Sequence, residues 1–188
     1  MKMLDTGVTQ LNSRQFSEAL ATFNKGILID KTIADLYFGK ASAAFQLNLT
    51  DTAISALNSA KDIAGSQSEY SELRGNIYFR KREIDSAIIH FTNTITLISQ
   101  SKRKINLVNA YYNRGSCYLI KKEYASAKED FTEAINLYPN FSAAFHNRGI
   151  CFFNLEDNDS GCKDMNKAIS LGSPRSQKYI TEKCGSKE

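Results

Sequence analysis

The chain has 188 residues, 42% hydrophobic and 23% charged, with a net charge of +4, the balance of a soluble globular chain with enough apolar material for a core. No apolar run approaches the roughly 18 residues that a membrane-spanning helix needs, and so small a charge, divided among separate stretches, does not build the continuous basic stripe of a nucleic-acid groove. Only Pro139 and Pro174 interrupt the chain, no strand-like alternation persists, and Ala, Leu, Ile, Lys, Glu and Ser dominate, a pattern that predicts an all-helical fold.

Taken in chain order, the helices recur in pairs. Residues 1–33 carry Gly7, Phe16, Ala19, Phe23 and Gly26, and 34–67 repeat the spacing with Tyr37, Ala41, Ala44, Ala53, Leu57 and Ala60. Residues 68–101 follow with Gly75, Tyr78, Ile84, Ala87 and Phe91. After an insertion at 102–107, residues 108–141 hold Tyr111, Gly115, Tyr118, Tyr124, Ala127, Phe131, Ala134 and Pro139. Residues 142–175 close the series with Gly149, Phe152, Met165 and Ala168. Gly115 sits in the middle of an amphipathic helix, where glycine costs about 1 kcal/mol relative to alanine. Its recurrence at 75 and 149 therefore predicts a close crossing with the second helix of the same pair, the one carrying Ala127.

A period of 34 residues made of two helices resembles the tetratricopeptide repeat, given a small residue and an aromatic in the first helix and Ala-x-x-x-Phe-x-x-Ala in the second. The fourth copy, from Tyr111 to Pro139, carries the resemblance best, and residues 1 to about 175 share it. The resemblance implies a single array over 1–188: an α-solenoid of about five helix-turn-helix repeats in a right-handed superhelix. The first helix of each pair, helix A, would line a concave face, and contacts would run between neighbouring repeats. Three departures stand out: Gln10 at an aromatic slot, Ala41 at the glycine slot, and Gly161 at the first alanine slot of the fifth helix B.

Lys102, Arg103 and Lys104 in the insertion read as a lengthened, solvated inter-repeat loop. The other basic runs, Arg80 to Arg82 and Lys121 with Lys122, fall in turns between helices A and B, on the opposite edge. Cys117 and Cys151 occupy one slot of consecutive helices A, about 8 to 10 Å apart, beyond disulfide reach, and read as buried core thiols. Beyond the fifth copy, Gly172 predicts a helix stop, Ser173 an N-cap and Pro174 a first helical residue. A capping helix over about 174–184 would then fold back on the last helix B. Cys162 and Cys184 each lie eleven residues from Ser173, so that fold brings them face to face. They are either two reduced, buried thiols or a disulfide adding about 3 kcal/mol. A complete chain without a secretory leader points to the cytoplasm, and a removed leader with an oxidised pair points to the periplasm or the cell exterior.

Neither of the two histidines, His90 and His146, belongs to a catalytic signature, the cysteines lack the short gaps of metal sites, and no cofactor motif is present. The reading is a non-enzyme without metal or cofactor. The expected concave face comprises Asp35, Phe38 and Ser42 in the second copy and Glu69, Glu72, Asn76 and Arg80 in the third. Asn109, Tyr112, Asn113 and Ser116 continue it in the fourth copy, and His146, Asn147, Ile150 and Asn154 in the fifth. Asparagine amides suit the backbone of an extended peptide, while Phe38 and Tyr112 offer flat apolar contact or else cover helix packing. One subclass of the family clamps a partner's C-terminal carboxylate with basic residues, and here those slots hold Phe38, Glu72, Asn109 and Tyr112. The expected function is therefore capture of a peptide or helix of a partner protein, without nucleic acid or membrane. A self-assembling homo-oligomeric scaffold is the alternative.

Overall fold

A computed structural model of the chain describes residues 2–99 and 107–185; the basic insertion with Lys102, Arg103 and Lys104 lies outside them. The described residues are helical throughout, with no strand. The helices are α1 (Lys2–Asn12), α2 (Phe16–Ile29), α3 (Ala34–Gln46), α4 (Thr50–Ala64), α5 (Ser68–Arg80), α6 (Ile84–Ser99), α7 (Leu107–Ile120), α8 (Tyr124–Leu137), α9 (Ser142–Asn154) and α10 (Asn158–Ser170). A single 3-10 turn, Pro174–Ser176, leads into α11 (Gln177–Lys183). The chain forms two compact units, Met1–Lys81 and Arg82–Glu188.

Within the first unit α1 packs on α2, α2 on α3, α3 on α4 and α4 on α5, and helices A also touch each other, α1 with α3 and α3 with α5. The second unit repeats this from α6 to α10, with α7 touching α9 and α11 seated on α10. One slot of each helix B organises the packing: Phe23, Leu57, Phe91, Phe131 and Met165 are all fully buried. Burying each such side chain contributes about 1.5 to 3 kcal/mol. The alanine four residues earlier, at 19, 53, 87 and 127, is equally buried and admits the neighbouring helix closely.

Gly115 meets that requirement from the opposite side. A Cβ added there would lie 3.0 Å from the Phe131 ring and 3.1 Å from the Asp130 Cβ, both on α8. The crossing is with the expected helix, and the groups in contact are Phe131 and Asp130. In the first unit Phe23 is wedged between two glycines, Gly7 and Gly39, whose added Cβ atoms would come within 2.5 and 2.4 Å of its ring.

The turns keep the same ruler. Arg14, Asn48, Arg82, Lys122 and Glu156 have φ of 58°, 59°, 64°, 62° and 63°, in the left-handed region. At four of these turns the following residue donates its backbone N–H to the carbonyl five positions earlier: Gln15 to Gln10, Leu49 to Ala44, Glu123 to Tyr118 and Asp157 to Phe152. Each such helix A thus ends in a Schellman-type cap whose left-handed residue is not glycine. Helices A and B are joined tightly because this cap turns the chain within three residues.

Candidate functional site

In the first unit, α1 and α3 splay at one face and leave an open cleft of about 600 Å³. Leu4, Val8, Leu11 and Phe38 line it, with Asp5 and Asp35 at its edge. Val8 is 43% exposed there. Phe38 is half-buried, its ring 5.3 Å from that of Tyr70 on α5, so it serves both the cleft and the core. The Ser42 hydroxyl donates to the Phe38 carbonyl at 2.9 Å, a local bond within α3. On α5, Glu69 accepts from Ser68 at 2.9 Å. Burial, and then the Glu69 carboxylate, raise the pKa of Glu72 above its ordinary value. Asn76 is half-buried on the same helix.

Arg80 is engaged elsewhere. Its guanidinium lies 3.7 Å over the Phe45 ring and donates to the Phe45 carbonyl at 2.6 Å and to Asn48 Oδ1 at 2.7 Å. It therefore caps the C-terminal end of α3, where helix carbonyls lack partners.

In the second unit, the face expected from α7 and α9 largely bonds to itself. Tyr112 has ring centroids 4.7 Å from Phe141 and 5.7 Å from Phe131, and its hydroxyl accepts from Asn147 Nδ2 at 3.2 Å. Ser116 donates to the Tyr112 carbonyl at 2.8 Å, and Asn154 donates to the Ile150 carbonyl at 2.9 Å. Asn109 is exposed, while Asn113 and Ile150 are half-buried.

His146 does not face an open groove, and that expectation is corrected. It is 6% exposed, beneath the C-terminal segment: Nδ1 is 2.7 Å from Ser176 Oγ and the ring meets Tyr179 edge-on at 5.5 Å. Burial, and then the nearby Arg175 cation, push its pKa down to about 4. The cause is tertiary, because the 3-10 turn and α11 occupy the place beside α9 and α10 that a further helix A would take.

The C-terminal segment follows the anticipated stops, with Gly172 at φ 86° and Pro174 at the first helical position. Ser173, however, makes no side-chain cap; it is buried, and its hydroxyl accepts from Ser176 Oγ at 3.3 Å. Tyr179 stacks on Phe153 with rings 6.0 Å apart and nearly parallel. Gly161 makes room for that ring, since an added Cβ would lie 2.6 Å from Phe153. The departure of the fifth repeat from alanine is thus an accommodation for α11. Cys162 and Cys184 form a disulfide, with Cα atoms 5.7 Å apart, tying the end of α11 to the N-terminal half of α10. Cys117 and Cys151 are free, buried thiols whose pKa burial pushes up to about 12.

Two residues absent from the sequence reading hold the second unit together. Arg114 on α7 binds Asp130 on α8 with Nε–Oδ2 2.8 Å and Nη2–Oδ1 2.7 Å, while Nη1 reaches Thr92 on α6 at 3.1 Å. Arg148 on α9 repeats this with Asp164 on α10 at 2.7 and 2.9 Å and with Thr132 on α8 at 3.2 Å. Each guanidinium joins the two helices of its own repeat to helix B of the repeat before. The hydrogen bond to Asp130 chiefly raises the Arg114 pKa and holds the charge. The signal was present in the chain: Arg-Gly at 114–115 and 148–149, with Asp sixteen residues after each Arg.

Among the described residues, no helix is long and apolar enough to cross a membrane, and no three His, Cys, Asp or Glu side chains are grouped to hold a metal. Residues 108–141 match the family model described as tetratricopeptide repeat. Protein unc-45 homolog B of Danio rerio is 38% identical over 63 residues, 34% of this chain and 7% of that protein. Heat shock protein sti1 homolog of Schizosaccharomyces pombe is 32% identical over 74 residues, 39% of this chain and 12% of that protein. The chain therefore aligns with only a small part of these relatives. Solved structures share the fold along nearly the whole length. YrrB, described as a TPR protein with an unusual peptide-binding site, superposes with a TM-score of 0.76 at 15% identity, covering 97% of this chain and 91% of its own. The pilF protein of Pseudomonas aeruginosa gives 0.81 at 13% identity, covering 98% and 92%. The matched segment at 108–141 is a tetratricopeptide repeat, and the helix pairing and buried slots carry the tetratricopeptide-repeat fold along the described residues.

Proposed function

We propose that the protein is a non-enzymatic interaction module that captures a peptide or helix of a partner protein on the exposed faces of its helices A. The carrying observation is the open apolar cleft between α1 and α3, where Val8 and Phe38 stand beside the carboxylates of Asp5 and Asp35. An apolar concavity with a few polar groups at its edge is the ordinary form of a peptide-binding site. The self-bonded contacts of Tyr112 with Asn147 make the α7–α9 face the less available of the two. Placing the site in the first unit narrows the expected face, which ran on through Asn109, Tyr112, Asn113 and Ser116 of the second unit.

The test is selection of phage-displayed peptides on the protein, followed by counter-screening with Val8→Arg, which fills the cleft from an exposed position. Binders that lose affinity about tenfold or more on a folded Val8→Arg variant support the reading. Selected peptides that bind the variant at full strength would sink it. The second reading, self-assembly, draws on Leu28 and Ile29 of α2, which are 79% and 75% exposed. A mass that rises with concentration in light scattering, and no longer rises in Leu28→Glu, favours it.

A further inference from the structure

We propose that the α1–α3 cleft docks a cationic segment that also carries apolar side chains: Lys or Arg side chains held by Asp5 and Asp35, with a leucine- or phenylalanine-like group between Val8 and Phe38. The inference rests on the cleft being the interaction site and names the chemistry of what enters it.

The floor of the cleft is apolar and its edge is acidic. Asp5 and Asp35 project from α1 and α3 at the opening. Phe38, on the wall, touches Tyr70, whose pKa is raised by burial first and then by the Asp35 and Glu69 carboxylates. Asp5 and Asp35 thus share one cleft with the Phe38 ring. Among the described residues neither Asp5 nor Asp35 has an ion-pair partner. Two cations of α5 are committed elsewhere: Arg74 donates to Asn58, and Arg80 to the Phe45 carbonyl and Asn48. Like charges at one opening repel, and an arriving cation offsets that repulsion while its apolar neighbour is desolvated against Phe38. The α7–α9 face has no such charge, since its candidates Asn109, Asn113, Asn147 and Asn154 are amides. The preference for positive partners therefore belongs to the first unit.

The probe is a short fluorescein-labelled peptide of alternating lysine and leucine, read by anisotropy against a matched peptide with glutamate for lysine. The lysine peptide is expected to bind at least about tenfold tighter, and to weaken severalfold between about 50 and 200 mM salt. Asp35→Asn should cost about threefold, and the Asp5→Asn/Asp35→Asn pair about tenfold. Asp62→Asn, an exposed carboxylate on α4 away from the cleft, should change nothing. Equal loss in Asp62→Asn, equal binding of the glutamate peptide, or no binding of either peptide overturns the proposal. Phage-selected peptides that are sensitive to Val8→Arg yet poor in Lys and Arg would overturn the partner chemistry and leave the cleft standing as a site. Absence of any Val8→Arg-sensitive peptide would remove the cleft itself.

Discussion

Reducing Cys162–Cys184 is expected to unseat α11 and return His146 to ordinary titration. The two cysteines are separated by 22 residues, and closing a loop of that size constrains the open state by about 3 kcal/mol. Little else holds α11. It has seven residues and none of them is buried, well short of the roughly 12 to 15 at which an isolated helix becomes marginal. Its remaining anchors are Tyr179 against Phe153 and His146, and the bond between His146 and Ser176. Loss of about 3 kcal/mol shifts the docking equilibrium roughly a hundredfold. Hydrogen exchange over 177–183 in the reduced protein, or in Cys184→Ser, should accelerate by about that factor. The same change should appear at His146, whose pKa of about 4 depends on burial under the segment. Because the folded pKa lies below the unfolded value of about 6.5, its stabilisation is complete above pH 6.5 and is lost as pH falls toward 4. In the oxidised protein that loss amounts to at most about 3 kcal/mol, and in the reduced protein it should largely vanish. Unchanged exchange over 177–183, together with a His146 pKa near 4 in Cys184→Ser, would refute the reasoning.

Other expectations are simpler. Arg148→Met leaves Asp164 buried without its partner and should cost about 3 to 5 kcal/mol in urea denaturation; Arg148→Met combined with Asp164→Leu should recover most of it. Gly39→Ala, which would gain helix propensity at an exposed site, should instead destabilise by about 2 kcal/mol, because the Phe23 ring 2.4 Å from the new Cβ is fully buried and wedged against Gly7. Lys122→Gly should raise thermal stability by about 0.5 to 1 kcal/mol, since residue 122 holds φ 62° at a helix C-terminus where glycine is unstrained.

The repeat was legible because its packing is periodic. Slots that recur at 34 residues, such as Phe23, Leu57 and Phe131, are buried one after another, and a single ruler finds them all. The glycine of α7 was legible for the same reason, as a demand for space beside α8. What escaped was the chemistry between repeats. Tyr112 and Asn147 stand 35 residues apart, as do Phe45 and Arg80, and both pairs bond across neighbouring helices A. Periodicity places such residues on the exposed side of a helix but does not say whether they meet a partner or each other. The Arg114 and Arg148 ion pairs were missed because attention to small and aromatic slots passes over a charged residue beside the glycine. His146 was misplaced because its surroundings come from the C-terminal segment, which lies outside the repeat period.

The α1–α3 cleft is the proposed place where a partner binds. The most direct measurement is amide and methyl chemical-shift mapping of the isotope-labelled protein as a phage-selected peptide is added. Shifts centred on Val8, Asp35 and Phe38, and absent in Val8→Arg, are the predicted result. Shifts confined to the second helices of the repeats, with the cleft residues unmoved, would contradict it.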